Sequence, residues 1–332
     1  MTVKVAINGF GRIGRCVLSH IVESCRKDIQ VVAINAPGPL ESAMHLLKYD
    51  SIHGKFASKI SIHEDSIDVG TGPIRMFSSY NPEELDWSGV DVVLECTGKL
   101  NSKKKTLVHL ENGAKKVLIS APGKKVDKTI VFGVNDAELE PNHLIVSNGS
   151  CTTNCLAPIA KVLDEGIGIS SGIMTTIHSY TGDQALLDKR HKDLYRARAA
   201  ALSIIPTSTG AAEALGEVLP SLIGKLVGSA LRVPTPNVSA VDFTFQAKKT
   251  VTVDEINWLV QSACLGSMGK VLSYDTEPKV SIDFNHSDYS AIFAPDQTKV
   301  VGGNLVRILV WYDNEWAFSC RMADVAALMG RL

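Results

Sequence analysis

Two cysteines, Cys151 and Cys155, stand four apart in "SNGSCTTNCLAP" (147–158), with Thr-Thr-Asn between them. The spacing admits several chemistries. A structural zinc site needs four ligands; this pair would supply two, and no second pair at suitable spacing follows, so no metal is expected. A C-x-x-C redox motif has two residues between the sulfurs, and here there are three. Chance burial of two thiols leaves unexplained why Cys151 sits among polar residues. A nucleophile fits Cys151 better. It follows an apolar run and opens "CTTNCLAPIAKVLDE", which reads as a helix, and a helix N-terminus stabilises a thiolate. Cys155, one turn later, reads as packing. A thiol nucleophile wants a base. Of nine histidines, His178 in "MTTIHSYTGDQ" is the best placed, because it ends a strand-like run and leads into a polar loop.

A second constellation lies at the start of the chain. "VKVAIN" (3–8) is followed by "GFGRIG", with Gly9, Gly11 and Gly14 in G-x-G-x-x-G spacing. Such glycines are informative only between a strand and a helix, and both are expected here. The first makes the tight turn, the second lets backbone approach a pyrophosphate, and the third lets the helix pack on its sheet. The helix start then faces the phosphates. The acid that usually ends the second strand of an NAD site is absent: "VVAINAPGP" has Ala36 there. An acid would repel a 2'-phosphate, so its absence opens the cofactor choice to NADP. Replacement of the acid by Glu41 or a backbone group is the alternative.

These groups need a scaffold. "VKVAIN", a helical "RCVLSHIVESC" and "IQVVAIN" (29–35) make a βαβ unit. Short apolar runs at 90–96, 115–120 and 143–148 read as further parallel strands, and "SKKKTLVHLENGA" as a helix ended by Gly113. The expected fold class is α/β, a doubly wound (Rossmann) parallel sheet over residues 1–150. After it come long β-rich runs, "SSGIMTTIHSY", "GSALRVPTPNVSAVDFTFQAKKTV", "KVSIDFN" and "LVRILVWYD". They predict an α+β catalytic domain with a mixed or antiparallel sheet over 151–314. "CRMADVAALMGRL" reads as an amphipathic C-terminal helix, and residues 315–332 are expected to pack back on the first domain.

Composition narrows the class. The chain has 332 residues, 45% hydrophobic and 21% charged, with formal net charge −1. No strong field points to nucleic acid or a membrane surface, and no apolar run approaches the roughly 18 residues of a spanning helix. "MTVKVAINGFG" reads as strand and turn rather than a secretory leader. Seven scattered cysteines favour reduced thiols and a cytoplasmic location.

With "INGFGRIGR", "SNGSCTTNCLAP", "TTIHSYTGDQ", "RARAAALSIIPTSTGAA", "LRVPTPNVS" and "WYDNEW" in order, the whole chain resembles the phosphorylating glyceraldehyde-3-phosphate dehydrogenase family of bacterial type. The resemblance implies Cys151 as nucleophile and His178 as base, with a hemithioacetal and then a thioester on Cys151. It implies glyceraldehyde 3-phosphate and inorganic phosphate as substrates, NAD or NADP as cofactor, and a homotetramer. Thr181 and Arg232, with Asp183 nearby, match the holders of the substrate phosphate. Ser150, Thr152, Arg196, Thr209 and Gly210 match those of the attacking phosphate. Arg12 and Ile13 match the turn contacts to the dinucleotide, Thr97 and Ser120 lie where it binds, and Asn314 matches the residue that holds the carboxamide. Departures concern the cofactor. Many NAD-using members have Asp in place of Ala36 and Leu-Pro where this chain has Lys189-Arg190, in a loop that in the tetramer reaches a neighbouring subunit's cofactor. Both changes favour NADP. Erythrose-4-phosphate dehydrogenase is a close relative with the same thiol and imidazole, but it typically lacks a counterpart of Thr181 and of the Thr209–Gly210 pair. A dinucleotide-binding protein without catalysis is the more remote alternative.

Overall fold

The computed structural model describes residues 2–332, which divide into two compact units: one holds the chain up to Ser150 together with Phe318–Leu332, the other Cys151–Ala317. In the first, a nine-stranded sheet runs in the order Lys128–Thr129, Ile145–Ser147, Lys116–Ile119, Val92–Glu95, Val3–Asn8, Ile29–Asn35, Pro73–Phe77, Ser66–Asp68, Ser61–Ile62. The seven strands from Lys128–Thr129 to Pro73–Phe77 pair in parallel, and the last two add an antiparallel edge. Val92–Glu95 and Lys116–Ile119 are buried at every position. A parallel strand covered on both faces cannot alternate, and so reads as a continuous apolar run.

Gly9 takes φ +99°, and a Cβ there would lie 2.7 Å from the Thr97 nitrogen. The helix Arg12–Glu23 then starts with Gly11 at its N-cap and no side chain bonding its first turn. It turns Cys16, Val17, Leu18 and Ile21 onto the sheet. Further on, the helix Lys103–Glu111 ends as Gly113 turns at φ +101°. The tail differs from the amphipathic expectation. The helix Trp316–Met329 is buried on nearly every face from Cys320 to Met329. In the first unit Arg26 pairs with Asp324 at 2.6 Å and Arg331 with Asp28 at 2.7 Å. Gly330 packs so closely on Val3 that a Cβ would meet its Cγ1 at 2.2 Å.

The second unit is an eight-stranded mixed sheet with helices Cys151–Ile167, Ala211–Val218 and Val253–Leu265. Ile169–Ser179 is a central strand, antiparallel to Ser239–Ala247 and parallel to Leu226–Val233. The parallel register places His178 opposite Arg232. Met174, Thr176 and His178 alternate inward along that strand. One expected strand is absent: in "KVSIDFN" the structure has a 3-10 turn, Ser281–Phe284. Asp283 accepts the Val280 N–H at 2.8 Å, and Phe284 is buried against Trp311 with ring centroids 5.4 Å apart. A short side chain bonding local backbone competes with ladder formation, and here it wins.

Candidate active site

Cys151 is the first residue of its helix and His178 the penultimate residue of its strand. The chain brings Cys151 Sγ within 3.4 Å of His178 Nε2. His178 Nδ1 lies 2.7 Å from the Ser179 carbonyl oxygen, and Arg232 Nη1 is 2.8 Å from both that oxygen and Nδ1. Guanidinium N–H groups only donate. Nδ1 thus stands between an acceptor, the Ser179 carbonyl, and a donor, Arg232 Nη1; in the tautomer that gives Nδ1–H to the carbonyl, Nε2 is a lone pair facing the sulfur. The ring meets Tyr312 edge-on at 6.0 Å. Tyr312 is itself fixed, its hydroxyl 2.9 Å from both Thr152 Oγ1 and Thr176 Oγ1.

Burial and the Arg232 charge push the His178 pKa down to about 3, so the imidazole is neutral at physiological pH. Burial also pushes the Cys151 thiol up. Arg232 and the helix-start N–H groups of Cys151 and Thr152 pull the other way, but less strongly than burial. The lowering expected from the helix start therefore operates without dominating. Cys155 is fully buried, and burial holds its thiol well above the ordinary value.

Around this pair, Arg232 Nε is buried with no partner. It is a donor available to an anion. Thr181 is half-buried at the turn after the strand, where its carbonyl accepts the Gln184 N–H at 2.9 Å. Gln184 was not singled out from sequence. Its side-chain amide is buried with neither atom bonded, a signal that only packing reveals. Arg196 bonds Asp183 at 2.6 Å and Thr207 Oγ1 at 2.9 Å. Thr209 and Gly210 open the helix Ala211–Val218, where Thr209 Oγ1 accepts the Ala211 N–H. Thr152 is buried beneath Tyr312, while Ser150 immediately precedes the nucleophile candidate in the chain. Asn314 is buried, and its Oδ1 accepts from Ser179 Oγ and Ser239 Oγ, each at 2.8 Å. Its amide N–H₂ is the end left for a ligand carbonyl. Lys189 and Arg190 are exposed, with no ion pair among the described residues.

In the first unit, a cavity of about 410 Å³ opens over the glycine turn, walled by Gly9, Gly11, Asn35, Ala36, Tyr80 and Thr97 among others. The turn fits a dinucleotide. A Cβ at Gly14 would lie 2.2 Å from the Gly9 oxygen, whereas one at Gly11 would meet nothing within 4 Å. The open side of Gly11 is where phosphates can approach backbone. Arg12 pairs through its side chain with Asp50, and Arg12 and Ile13 are the first residues of the helix that follows the turn. Ser120 donates its N–H to the Glu95 carbonyl and lies outside the cavity wall. Glu41 is exposed and also lies outside it.

Residues 3–103 match the family model "Glyceraldehyde 3-phosphate dehydrogenase, NAD binding domain", and residues 150–314 match its C-terminal domain model. The chain is similar to the glyceraldehyde-3-phosphate dehydrogenases of Cereibacter sphaeroides, 60% identical, and Xanthobacter flavus, 57% identical, each covering all of both chains. That of Pseudomonas aeruginosa is 54% identical over 98% of each chain. A nucleotide cavity over a glycine turn, together with these matches, defines an NAD-dependent oxidoreductase. The chain belongs to the glyceraldehyde-3-phosphate dehydrogenase family.

Proposed function

We propose that this chain oxidises D-glyceraldehyde 3-phosphate with inorganic phosphate to 1,3-bisphosphoglycerate, with Cys151 as nucleophile and His178 as base. The observation that carries the proposal is the 3.4 Å contact between Cys151 Sγ and His178 Nε2. As the sulfur bonds the aldehyde carbon, the thiol proton moves to Nε2 and then to the new alkoxide, giving a hemithioacetal. A bound nicotinamide supplies the hydride acceptor. His178 takes the hydroxyl proton back as the carbonyl re-forms, which leaves a thioester on Cys151. A phosphate oxygen then attacks the thioester carbon, the C–S bond breaks, and the acyl phosphate leaves. The backbone N–H of Cys151 is the candidate oxyanion donor.

Arg232 and Thr181 would hold the substrate phosphate, the buried Nε of Arg232 being a donor without a partner. Ser150, Thr152, Arg196, Thr209 and Gly210 would serve the attacking phosphate. Asn314 would orient the nicotinamide amide, and Gly9, Gly11, Gly14, Arg12, Ile13, Thr97 and Ser120 would cradle or adjoin the dinucleotide. NADP is the favoured cofactor. No carboxylate among the described residues lines the nucleotide cavity, while Ala36, Arg15 and Lys99 do. In a homotetramer Lys189 and Arg190 would add positive charge near a neighbour's ribose. A cytoplasmic setting suits its unpaired cysteines. Erythrose 4-phosphate gains no support from the relatives above.

The test is kcat/KM with NAD and with NADP at saturating aldehyde and phosphate, then with phosphate withheld. Acyl phosphate formation that needs phosphate, with NADP preferred, is expected. Plain acid release that ignores phosphate sinks the phosphorylating reaction, and an NAD preference sinks the cofactor assignment.

A further inference from the structure

The strand Val92–Glu95 ends in a carboxylate that is 1% exposed. Four donors converge on it. Thr97 gives Oε1 both its backbone N–H, at 2.8 Å, and its hydroxyl. Asn8 Nδ2 and His109 Nε2 reach Oε2 at 2.6 and 3.0 Å. His109 is fixed from behind: Trp87 Nε1 can only donate, and it lies 3.0 Å from His109 Nδ1. Nδ1 is therefore an acceptor, and the ring carries its proton on Nε2, aimed at Glu95. Both carboxylate oxygens thus have donors inside the protein.

The network continues outward. Asn8, its amide oriented by Glu95, presents Oδ1 to Asn35 Nδ2 at 2.8 Å, and Asn35 Oδ1 accepts the Ser79 N–H at 3.0 Å. Asn8, Asn35, Ser79 and Thr97 all line the nucleotide cavity. One buried carboxyl group thus ties together the ends of three adjacent parallel strands at the cavity mouth. It also fixes what Thr97 offers. The hydroxyl proton is spent on Glu95 and one lone pair takes the Lys99 N–H at 3.1 Å, so Thr97 presents an acceptor to the cavity. The Thr97 backbone held by Glu95 is also the surface that leaves no room for a side chain at Gly9, where a Cβ would lie 2.7 Å from the Thr97 nitrogen.

We infer that Glu95 is a positioning residue for the dinucleotide, holding Thr97 as a hydrogen-bond acceptor and the glycine turn at its working distance, with His109 and Trp87 holding Glu95. The inference rests on the reading that this cavity takes the dinucleotide. Glu95 touches no ligand itself. An amide in its place keeps the shape but turns an N–H₂ toward either the Thr97 pair or the Asn8–His109 pair, setting donor against donor.

The test is direct calorimetric titration of the full chain with NAD and NADP, without aldehyde, alongside thermal melts and steady-state kinetics. Glu95→Gln should raise the Kd of the preferred dinucleotide about tenfold or more, raising KM far more than it lowers kcat. Thr97→Val should weaken binding similarly, and Thr97→Ser should restore it, because only the hydroxyl matters. Adding Thr97→Val to Glu95→Gln should cost less than the sum of the two single effects. If Glu95→Gln does not fold, the two Thr97 variants and His109→Gln, which keeps a donor toward Oε2, decide. An unchanged Kd in folded Glu95→Gln and Thr97→Val, or a lowered melting temperature without weaker binding, overturns the inference. Failure of the unmodified chain to bind either dinucleotide overturns instead the reading of the cavity.

Discussion

His178 Nδ1 faces two neighbours with opposite demands, the Ser179 carbonyl and the Arg232 guanidinium, while Nε2 faces Cys151. Removing the imidazole leaves Cys151 without its acceptor at 3.4 Å. His178→Asn should lower kcat by roughly 10²–10⁴ and slow alkylation of Cys151 at neutral pH, because the thiol that burial has raised then loses its proton acceptor. The check is the pH profile of iodoacetamide inactivation without substrate. An unchanged profile would mean that His178 does not activate the thiol. Arg232 works at the same scale in a different manner. It depresses His178 and opposes the rise at Cys151, and its planar fork serves Ser179 with Nη1 while Nε remains free. Arg232→Lys keeps the charge and loses the fork. It should raise KM for the phosphorylated aldehyde about tenfold or more while leaving dinucleotide affinity alone, as substrate and cofactor titrations would show.

At the scale of elements, the glycine turn separates two roles that the sequence presents as one motif. A Cβ at Gly14 collides with backbone, while one at Gly11 meets nothing. Gly14→Ala should therefore destabilise the fold by about 1–3 kcal/mol. Gly11→Ala should melt as the unmodified chain does and bind the dinucleotide less well. Melts paired with titrations separate them, and equal loss of stability in both would refute the distinction. This turn and the segment around Cys151 were legible because their signals are local: spacing, flanking strand, following helix. The Glu95 network was not. "VDVVLEC" reads as an apolar run, and nothing in it announces that its one carboxylate meets Trp87, His109 and Asn8, partners scattered over about 100 positions. "KVSIDFN" misleads in the opposite sense, with strand-like alternation overridden by one local Asp283 bond. "CRMADVAALMGRL" reads as amphipathic, yet Asp324 pairs with Arg26 and with Arg321 of the same helix, and Arg331, just past the helix, pairs with Asp28.

At the scale of the molecule, cofactor choice is a question of electrostatic field rather than of one contact. The chain is close to neutral, so a local imbalance at the ribose end is not masked by a large net charge. Ala36 sits at the end of a strand with its N–H tied to the Phe77 carbonyl at 2.9 Å, which fixes where a side chain there would emerge. Ala36→Asp should lower the kcat/KM ratio of NADP over NAD by about tenfold or more, since a carboxylate repels a neighbouring 2'-phosphate. The ratio of kcat/KM for the two cofactors measures it. An unmoved ratio would place the discriminating charges elsewhere, with Lys189 and Arg190 the next to reverse.

The packing of Gly330 against Val3, with Arg331 on Asp28, sets an order of events during synthesis. The strand Val3–Asn8 leaves the ribosome before the whole of the second unit, and the segment Phe318–Leu332 that completes its own unit leaves after it. While the second unit is being made, the first exposes apolar surface that only the later segment covers, although domains otherwise tend to fold as they emerge. The unit begun earlier is completed later, and a nascent chain stalled before Phe318 would be a natural client for chaperones even though the second unit is already whole.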